Sequence, residues 1–164
     1  MRVTLDLVLD CPPDAAWEAV HSPAVFRAVS GPWTAVESLE PGGFPERWPG
    51  GDHRVRLRML GTLPMGTQLI RLSDEVTPGE RIVHDTGGPQ SGAMRVVRSW
   101  HHRMGVSALA GHAHRTRFRD ELTVKAGVLT PIVAAGFWVF WQLRARALRR
   151  LAPRWAAQFG ESAA

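Results

Sequence analysis

The sequence predicts an α+β domain, a curved antiparallel sheet of about seven strands closed over one long C-terminal helix. Three observations predict it. Residues 2–9 alternate polar and apolar. From Trp33 to Lys125 the apolar period is two, interrupted by turn signals. From Ile132 to Leu151 the period becomes helical, with no breaker. At 164 residues the chain suits one domain, placed at 1–159 with a short tail at 160–164. A domain this size buries roughly 70% of its unfolded surface and needs no staples. Its composition, 45% hydrophobic and 21% charged, is that of a globular protein, with disorder expected only in the tail.

The elements follow in order. Val3, Leu5, Leu7 and Leu9 form one face of a first, half-buried strand. Pro12-Pro13-Asp14 then opens a helix, because proline fits the first turn and Asp14 and Glu18 suit the positive end of the helix dipole. Ser22-Pro23 starts a second short helix to about Val29, with Val25, Phe26 and Val29 on its apolar side, and Gly31-Pro32 stops it. Six strands are expected at about 33–39, 52–62, 66–76, 80–86, 93–105 and 112–125. Short Gly/Pro turns between consecutive strands imply an antiparallel meander. The stretch 41–51 reads as a loop whose Phe44 and Trp48 pack over something. Thr130 caps the last helix, Pro131 takes its first position, and Pro153 lies beyond its expected end at Leu151. A sheet bent strongly around this helix is too curved to touch it everywhere, and a cavity is expected between them.

Several stretches carry a family resemblance. Leu9-Asp10-Cys11-Pro12-Pro13-Asp14-Ala15-Ala16-Trp17-Glu18-Ala19-Val20 is similar to the strand-to-helix junction of the SRPBCC superfamily. That superfamily includes START lipid-transfer domains, the birch-pollen allergen, plant hormone receptors and bacterial polyketide cyclases. Ser22-Pro23 through Trp33 resembles its second helix and strand. Thr116-Arg117-Phe118-Arg119-Asp120-Glu121-Leu122 through Gly127 resembles its approach to the last helix. The resemblance covers nearly the whole chain and implies a helix-grip fold. It carries over no catalytic residue, because members bind lipids, hormones, polyketides and proteins on one scaffold.

Strand alternation nominates the inward positions. On 93–105 the apolar set Met94, Val96, Trp100 and Met104 takes Arg98 and His102 with it. On 112–125, Phe118, Leu122 and Val124 take His112, His114, Thr116 and Asp120. On 66–76, Ile70, Leu72 and Val76 take Gln68 and Asp74; on 80–86, Ile82 takes His84 and Thr86. The candidate ligand-binding residues are therefore Trp100, Arg98, Met104, His84, Ile70, Leu72, Phe118, Phe137 and Phe140. The candidate catalytic residues are His102, His114 and Asp120. A carboxylate can fix an imidazole's tautomer, and imidazole titrates near neutral pH. The competing reading leaves these three in water at the strand ends.

The reading that follows is a binding protein for an apolar small molecule: a lipid, a polyketide or a similar metabolite. The alternative is a polyketide aromatase/cyclase or dehydratase, and a further one is an arginine-driven membrane-surface module. No cofactor is expected. His101, His102, His112 and His114 lack a recognised metal-ligand spacing, so no metal is expected. The net charge of +5 reads mainly as solvated strand faces, as at Arg54, Arg56 and Arg58. Aromatics do not interleave with the arginines, which argues against nucleic acid. The apolar start of the last helix, with Trp138 and Trp141, leaves open peripheral membrane contact or a homodimer. The N-terminus lacks the continuous apolar core of a signal peptide, so a cytoplasmic location is expected. Cys11, the single cysteine, is expected to be a small buried residue.

Overall fold

The computed structural model describes residues 1–159; the tail at 160–164 lies outside the described residues. The order is β1 (Arg2–Leu9), α1 (Pro13–Val20), α2 (Pro23–Ser30), β2 (Thr34–Ser38), β3 (Gly51–Met59), β4 (Leu63–Thr77), β5 (Glu80–Asp85), the two-residue β6 (Gly88–Pro89), a 3₁₀ turn (Ala93–Val96), β7 (Ser99–Leu109), β8 (His112–Lys125) and α3 (Thr130–Phe159). Seven long strands form one antiparallel sheet in the order β1-β8-β7-β5-β4-β3-β2, and β6 pairs with β4. This is the helix-grip α+β fold. The meander is closed by β1, which pairs with β8 from Arg2↔Thr123 to Leu9↔Thr116.

The concave face carries the core. Leu5, Leu7 and Leu9 of β1, Phe118 and Leu122 of β8, and Val106 of β7 pack with Trp155, Leu148 and Ala152 of α3. The convex face is wet and charged. Arg117 meets Asp6 at 2.6 Å, Arg71 meets Asp52 at 2.6 Å and Arg56 meets Glu37 at 3.2 Å, so these arginines are strand-face cations paired across the ladder. Cys11 is buried, and burial pushes its thiol up to about 11, which leaves it an inert packing residue.

The local signals behave as their chemistry demands. Ser22 Oγ accepts from Val25 N–H at 3.3 Å, capping α2. Thr130 Oγ1 accepts from Ala126 N–H at 2.8 Å and donates to Gly127 O at 2.7 Å, locking the turn into α3. Three expectations need correction. Residues 93–98 precede β7 rather than belong to it, since Ala93–Val96 coil into a 3₁₀ turn. The apolar pair Met94 and Val96 fits either period, which is why alternation misplaced them. Pro153 lies inside α3, which runs on to Phe159. β5 has the opposite face inward: Val83 and Asp85 are buried in the concave side while His84 points outward. Ile82 and Val83 are adjacent β-branched residues, so the pattern there has no single apolar side.

One close approach shapes the sheet beside the 3₁₀ turn. Gly66 in β4 has φ +118°, and a Cβ there would collide with Ser91 O and sit 2.9 Å from Gly92 Cα. Gly92, at φ +71°, presses back on Met65 and Gly66. The two glycines hold the 3₁₀ turn against β4. Gly66→Ala is therefore expected to lower the unfolding free energy by roughly 2–4 kcal/mol. Gly42→Ala, with no atom within 4 Å of its Cβ, is expected to stay within about 0.5 kcal/mol. Urea titration of both variants checks this.

Candidate ligand cavity

Because the sheet curls away from α3 at one end, a cavity of about 430 Å³ remains between them. That lies in the range of small-molecule sites. Its walls are Ile70 and Leu72 of β4, Trp100 and Met104 of β7, and Phe137 and Phe140 of α3, with further apolar side chains from α2 and the 3₁₀ turn. Trp100 and Phe137 meet edge to face at 5.4 Å between centroids. The loop before β3 contributes Trp48, which is 4% exposed and packs edge to face on Phe26 at 5.7 Å. Its main-chain N–H donates to His21 O at 2.8 Å, so the loop is tied to the α1–α2 junction. The indole Nε1 of Trp48 is buried without a partner among the described residues.

A polar cluster sits at the α3 wall. Asp120 is fully buried on β8 and receives three side-chain donors from two other elements. His102 Nε2 of β7 lies 2.5 Å from Oδ1, Trp141 Nε1 of α3 donates to Oδ1 at 3.0 Å, and Arg144 Nε donates to Oδ2 at 2.9 Å. Burial alone would raise the Asp120 carboxyl. The positive charges of His102 and Arg144, with the hydrogen bonds from both, outweigh it and hold the group at about 2. A carboxylate only accepts, so the ring nitrogen of His102 bonded to it carries the proton. That leaves Nδ1 without a protein partner among the described residues, on a side chain that lines the cavity. Arg144 uses Nη2 on Met104 Sδ at 3.7 Å, and Nη1 has no protein acceptor among the described residues. Both His102 and Arg144 can therefore address a cavity guest.

Two more polar side chains line the walls. Asp85 is 4% exposed but fully occupied: Oδ2 accepts from Trp100 Nε1 at 3.0 Å, and Oδ1 accepts from Arg71 N at 2.9 Å and Gly87 N at 3.0 Å. Gln68 is the opposite case. It is 8% exposed, lines the cavity, and its amide bonds no protein group among the described residues.

The predicted site residues divide cleanly. Trp100, Met104, Ile70, Leu72, Phe137, Phe140 and His102 line the cavity, and Asp120 stands directly behind His102. His114 does not join them. It has the inward parity of Asp120 but lies near the β7–β8 hairpin, two residues past the start of β8, and it is exposed. Arg98 is exposed ahead of β7. His84 lies on the convex face, between Glu75 Oε2 at 2.9 Å and His101 Nε2 at 3.0 Å. Phe118 is fully buried in the core and contributes no cavity wall. Sequence reasoning missed Arg144, Trp141, Asp85 and the role of Gln68. Arg144 was readable: positions 137, 141, 144, 148 and 155 form one helical stripe, and an arginine within it needs a buried partner.

Residues 7–152 match the family model described as a domain of unknown function (DUF8410). The chain belongs to that family. No curated protein matches it. Solved structures with the same fold include hypothetical protein jhp0584 from Helicobacter pylori, at 10% identity and TM-score 0.66, covering 93% of this chain and 88% of that one. Protein CV1439 from Chromobacterium violaceum gives 13% identity and TM-score 0.62, covering 93% and 96%. The ZhuI aromatase/cyclase from Streptomyces sp. R1128 gives 19% identity and TM-score 0.57, covering 94% of each chain. At these identities the likeness is one of fold.

The Asp120 cluster gives this DUF8410 domain a defined acid response. The folded carboxyl at about 2 lies below its unfolded value near 4. Its stabilisation is present above pH 4 and is lost as pH falls from about 4 through 2, a loss of about 2 kcal/mol. Asp120→Asn removes that buried share of the acid slope. It is also expected to cost roughly 3–5 kcal/mol at neutral pH, because Arg144 is left buried without its counter-ion. Denaturant melts of both proteins between about pH 2 and 7 measure both effects.

Proposed function

We propose that this domain binds an apolar small molecule that carries oxygen functions, a lipid, polyketide or similar metabolite, in the cavity between sheet and α3. One observation carries the reading: a largely apolar cavity of about 430 Å³ into which a few polar groups without protein partners converge. Apolar walls supply affinity, and the unpaired groups supply orientation. Gln68 can meet a carbonyl or hydroxyl, and Arg144 Nη1 can meet a carbonyl, enolate or carboxylate. The SRPBCC-like sequence features and the shared fold of the aromatase/cyclase support a pocket-based role.

Native mass spectrometry of freshly purified protein is expected to reveal a bound small molecule. Adding that molecule at about a hundred times its Kd is expected to raise Tm by roughly 5–10 °C. Ile70→Trp, which projects an indole from the wall into the cavity, is expected to reduce the shift. Gln68→Leu is expected to weaken binding by about tenfold, since it removes one hydrogen bond while preserving shape. A Tm unmoved by lipids and polyketide mimics alike, with no co-purified mass, would sink the reading.

The His102–Asp120 geometry favours a second reading, acid–base catalysis on a poly-β-ketone as in an aromatase/cyclase or dehydratase. Asp120 fixes the tautomer, His102 Nδ1 faces the guest, and Arg144 can stabilise a developing enolate. On this reading His102→Ala is expected to lower turnover of a poly-β-ketone by about 10²–10⁴-fold while ligand binding survives. Undiminished turnover in that variant would leave binding alone as the function.

A further inference from the structure

The rim of the cavity is apolar in a way its interior does not require. Met59 and Met65 line the cavity at the β3–β4 hairpin, and Thr34 lines it from β2. Beside them Trp33 is 43% exposed, Leu60 61% and Leu63 57%. Leu60 N–H donates to Trp33 O at 2.8 Å, so the main chains that carry these side chains adjoin. Across the opening, Val133, Gly136 and Phe137 of α3 line the cavity, while Ile132 is 72% exposed and Val139 53%. Only 22% of the most apolar 18-residue stretch of α3 is buried. That helix is long and apolar enough to cross a bilayer, but Trp141, Arg144 and Leu148 anchor it to the sheet through the cavity wall.

Charge singles out one occupant. Segments 22–36, 53–73, 86–98 and 126–159, which supply most of the cavity lining, contain no aspartate or glutamate. They do contain Arg95 and Arg98, both exposed and without an ion-pair partner among the described residues; Arg58 is exposed too, but it pairs with Glu37 at 3.7 Å. The carboxylates cluster elsewhere, as at Asp74, Glu75 and Glu80 around the β4–β5 turn. An apolar surface whose unpaired flanking charges are the cations Arg95 and Arg98 matches an anionic lipid bilayer, whose headgroups attract arginine and whose acyl boundary accepts leucine, isoleucine and tryptophan. A second copy of the same face would bring like charges together. We infer that the cavity mouth docks on anionic membrane surfaces, with Trp33, Leu60, Leu63 and Ile132 inserting and Arg95 and Arg98 meeting the headgroups.

The test is co-sedimentation of the full chain with phosphatidylcholine vesicles, with and without about one quarter phosphatidylglycerol. Binding is expected on the anionic vesicles only, and is expected to fall when salt is raised from about 0.1 to 1 M. Leu60→Asp and Ile132→Asp are each expected to reduce partitioning by at least about tenfold, and Arg95→Gln and Arg98→Gln by about fivefold each. Val76→Asp, at a residue 73% exposed beside the acidic turn, is expected to bind as the parent does. Circular dichroism and thermal melts without vesicles show that each variant is folded; because vesicle binding needs no cavity guest, its outcome is independent of the cavity reading. Equal affinity for neutral vesicles, no binding to either kind, or unchanged binding by Leu60→Asp and Ile132→Asp would overturn it. So would a concentration-dependent dimer that those two substitutions dissolve.

Discussion

A carboxylate removed completely from water must be surrounded by donors, and Asp120 takes its donors from His102 on β7 and from Trp141 and Arg144 on α3. That one group joins the sheet to the helix. Its net contribution to stability is modest compared with a well-packed apolar substitute, because desolvation offsets most of the attraction. Its geometric contribution is larger. The first half of α3 is apolar nearly all round, with Ile132, Val133, Phe137, Trp138, Val139 and Phe140 in sequence. Hydrophobicity alone does not choose which of those faces meets the sheet. Trp141 and Arg144, three residues apart, lie on one face, and only one rotation of α3 brings both to Asp120. The same rotation places Phe137 on Trp100 and turns Trp138 outward at 56% exposure.

This explains which parts of the molecule were legible in the sequence. Strands with one wet face, such as β1 and β8, declare their inward side, so Leu7, Phe118 and Asp120 were placed correctly. The pairing of β1 with β8 follows from the need to close the meander. β5 was misread because Ile82 and Val83 offer apolar groups on both faces; what decides is Asp85, which the concave side satisfies with Trp100 Nε1 and two main-chain donors. His114 shows the limit of parity: alternation gives a direction, but coverage by another element decides burial, and His114, two residues past the start of β8, is exposed. Arg144 is no helix-end cation, since the helix continues for fifteen residues beyond it to Phe159; its place in the buried stripe is what demands a carboxylate partner. Pro153 was read as a stop. A proline's missing donor and ring are troublesome only where they meet the preceding turn, and the tertiary contacts of Ala152 and Trp155, both buried, carry the helix past it.

Polarity is distributed unevenly along the barrel axis, and that asymmetry connects the interior to the surface. At the closed end, α1 and the second half of α3 seal the sheet with Leu148, Ala152 and Trp155, while acidic side chains such as Asp6, Asp14 and Glu18 face water. At the open end the 3₁₀ turn is held against β4 by Gly66 and Gly92, which keeps Met94 and Val96 in the wall rather than in a strand. A regular strand there would have paired with β4 and narrowed the opening. The irregular segment is thus what keeps the sheet open beside α3.

The polar groups inside obey a different rule from those at the mouth. Asp85 is saturated by protein donors, so it stiffens the wall and has little left to offer a guest. Among the described residues the Gln68 amide, His102 Nδ1 and Arg144 Nη1 make no protein hydrogen bond; their side chains are mostly buried, and these atoms keep contact with the open cavity until a guest fills it. Leaving a buried donor or acceptor unpaired costs on the order of 1–3 kcal/mol, whereas an apolar residue of similar shape would cost nothing there. Three such groups facing one apolar cavity therefore set a discrimination rule. A hydrocarbon would have to leave all three unsatisfied, while a molecule with oxygens at matching positions satisfies them and keeps its apolar contacts with Ile70, Phe137 and Phe140. Selection against plain hydrocarbon comes from the unmet hydrogen bonds rather than from shape. On the proposed reading, the order of oxygen functions along a guest, more than its length, would determine what the cavity accepts.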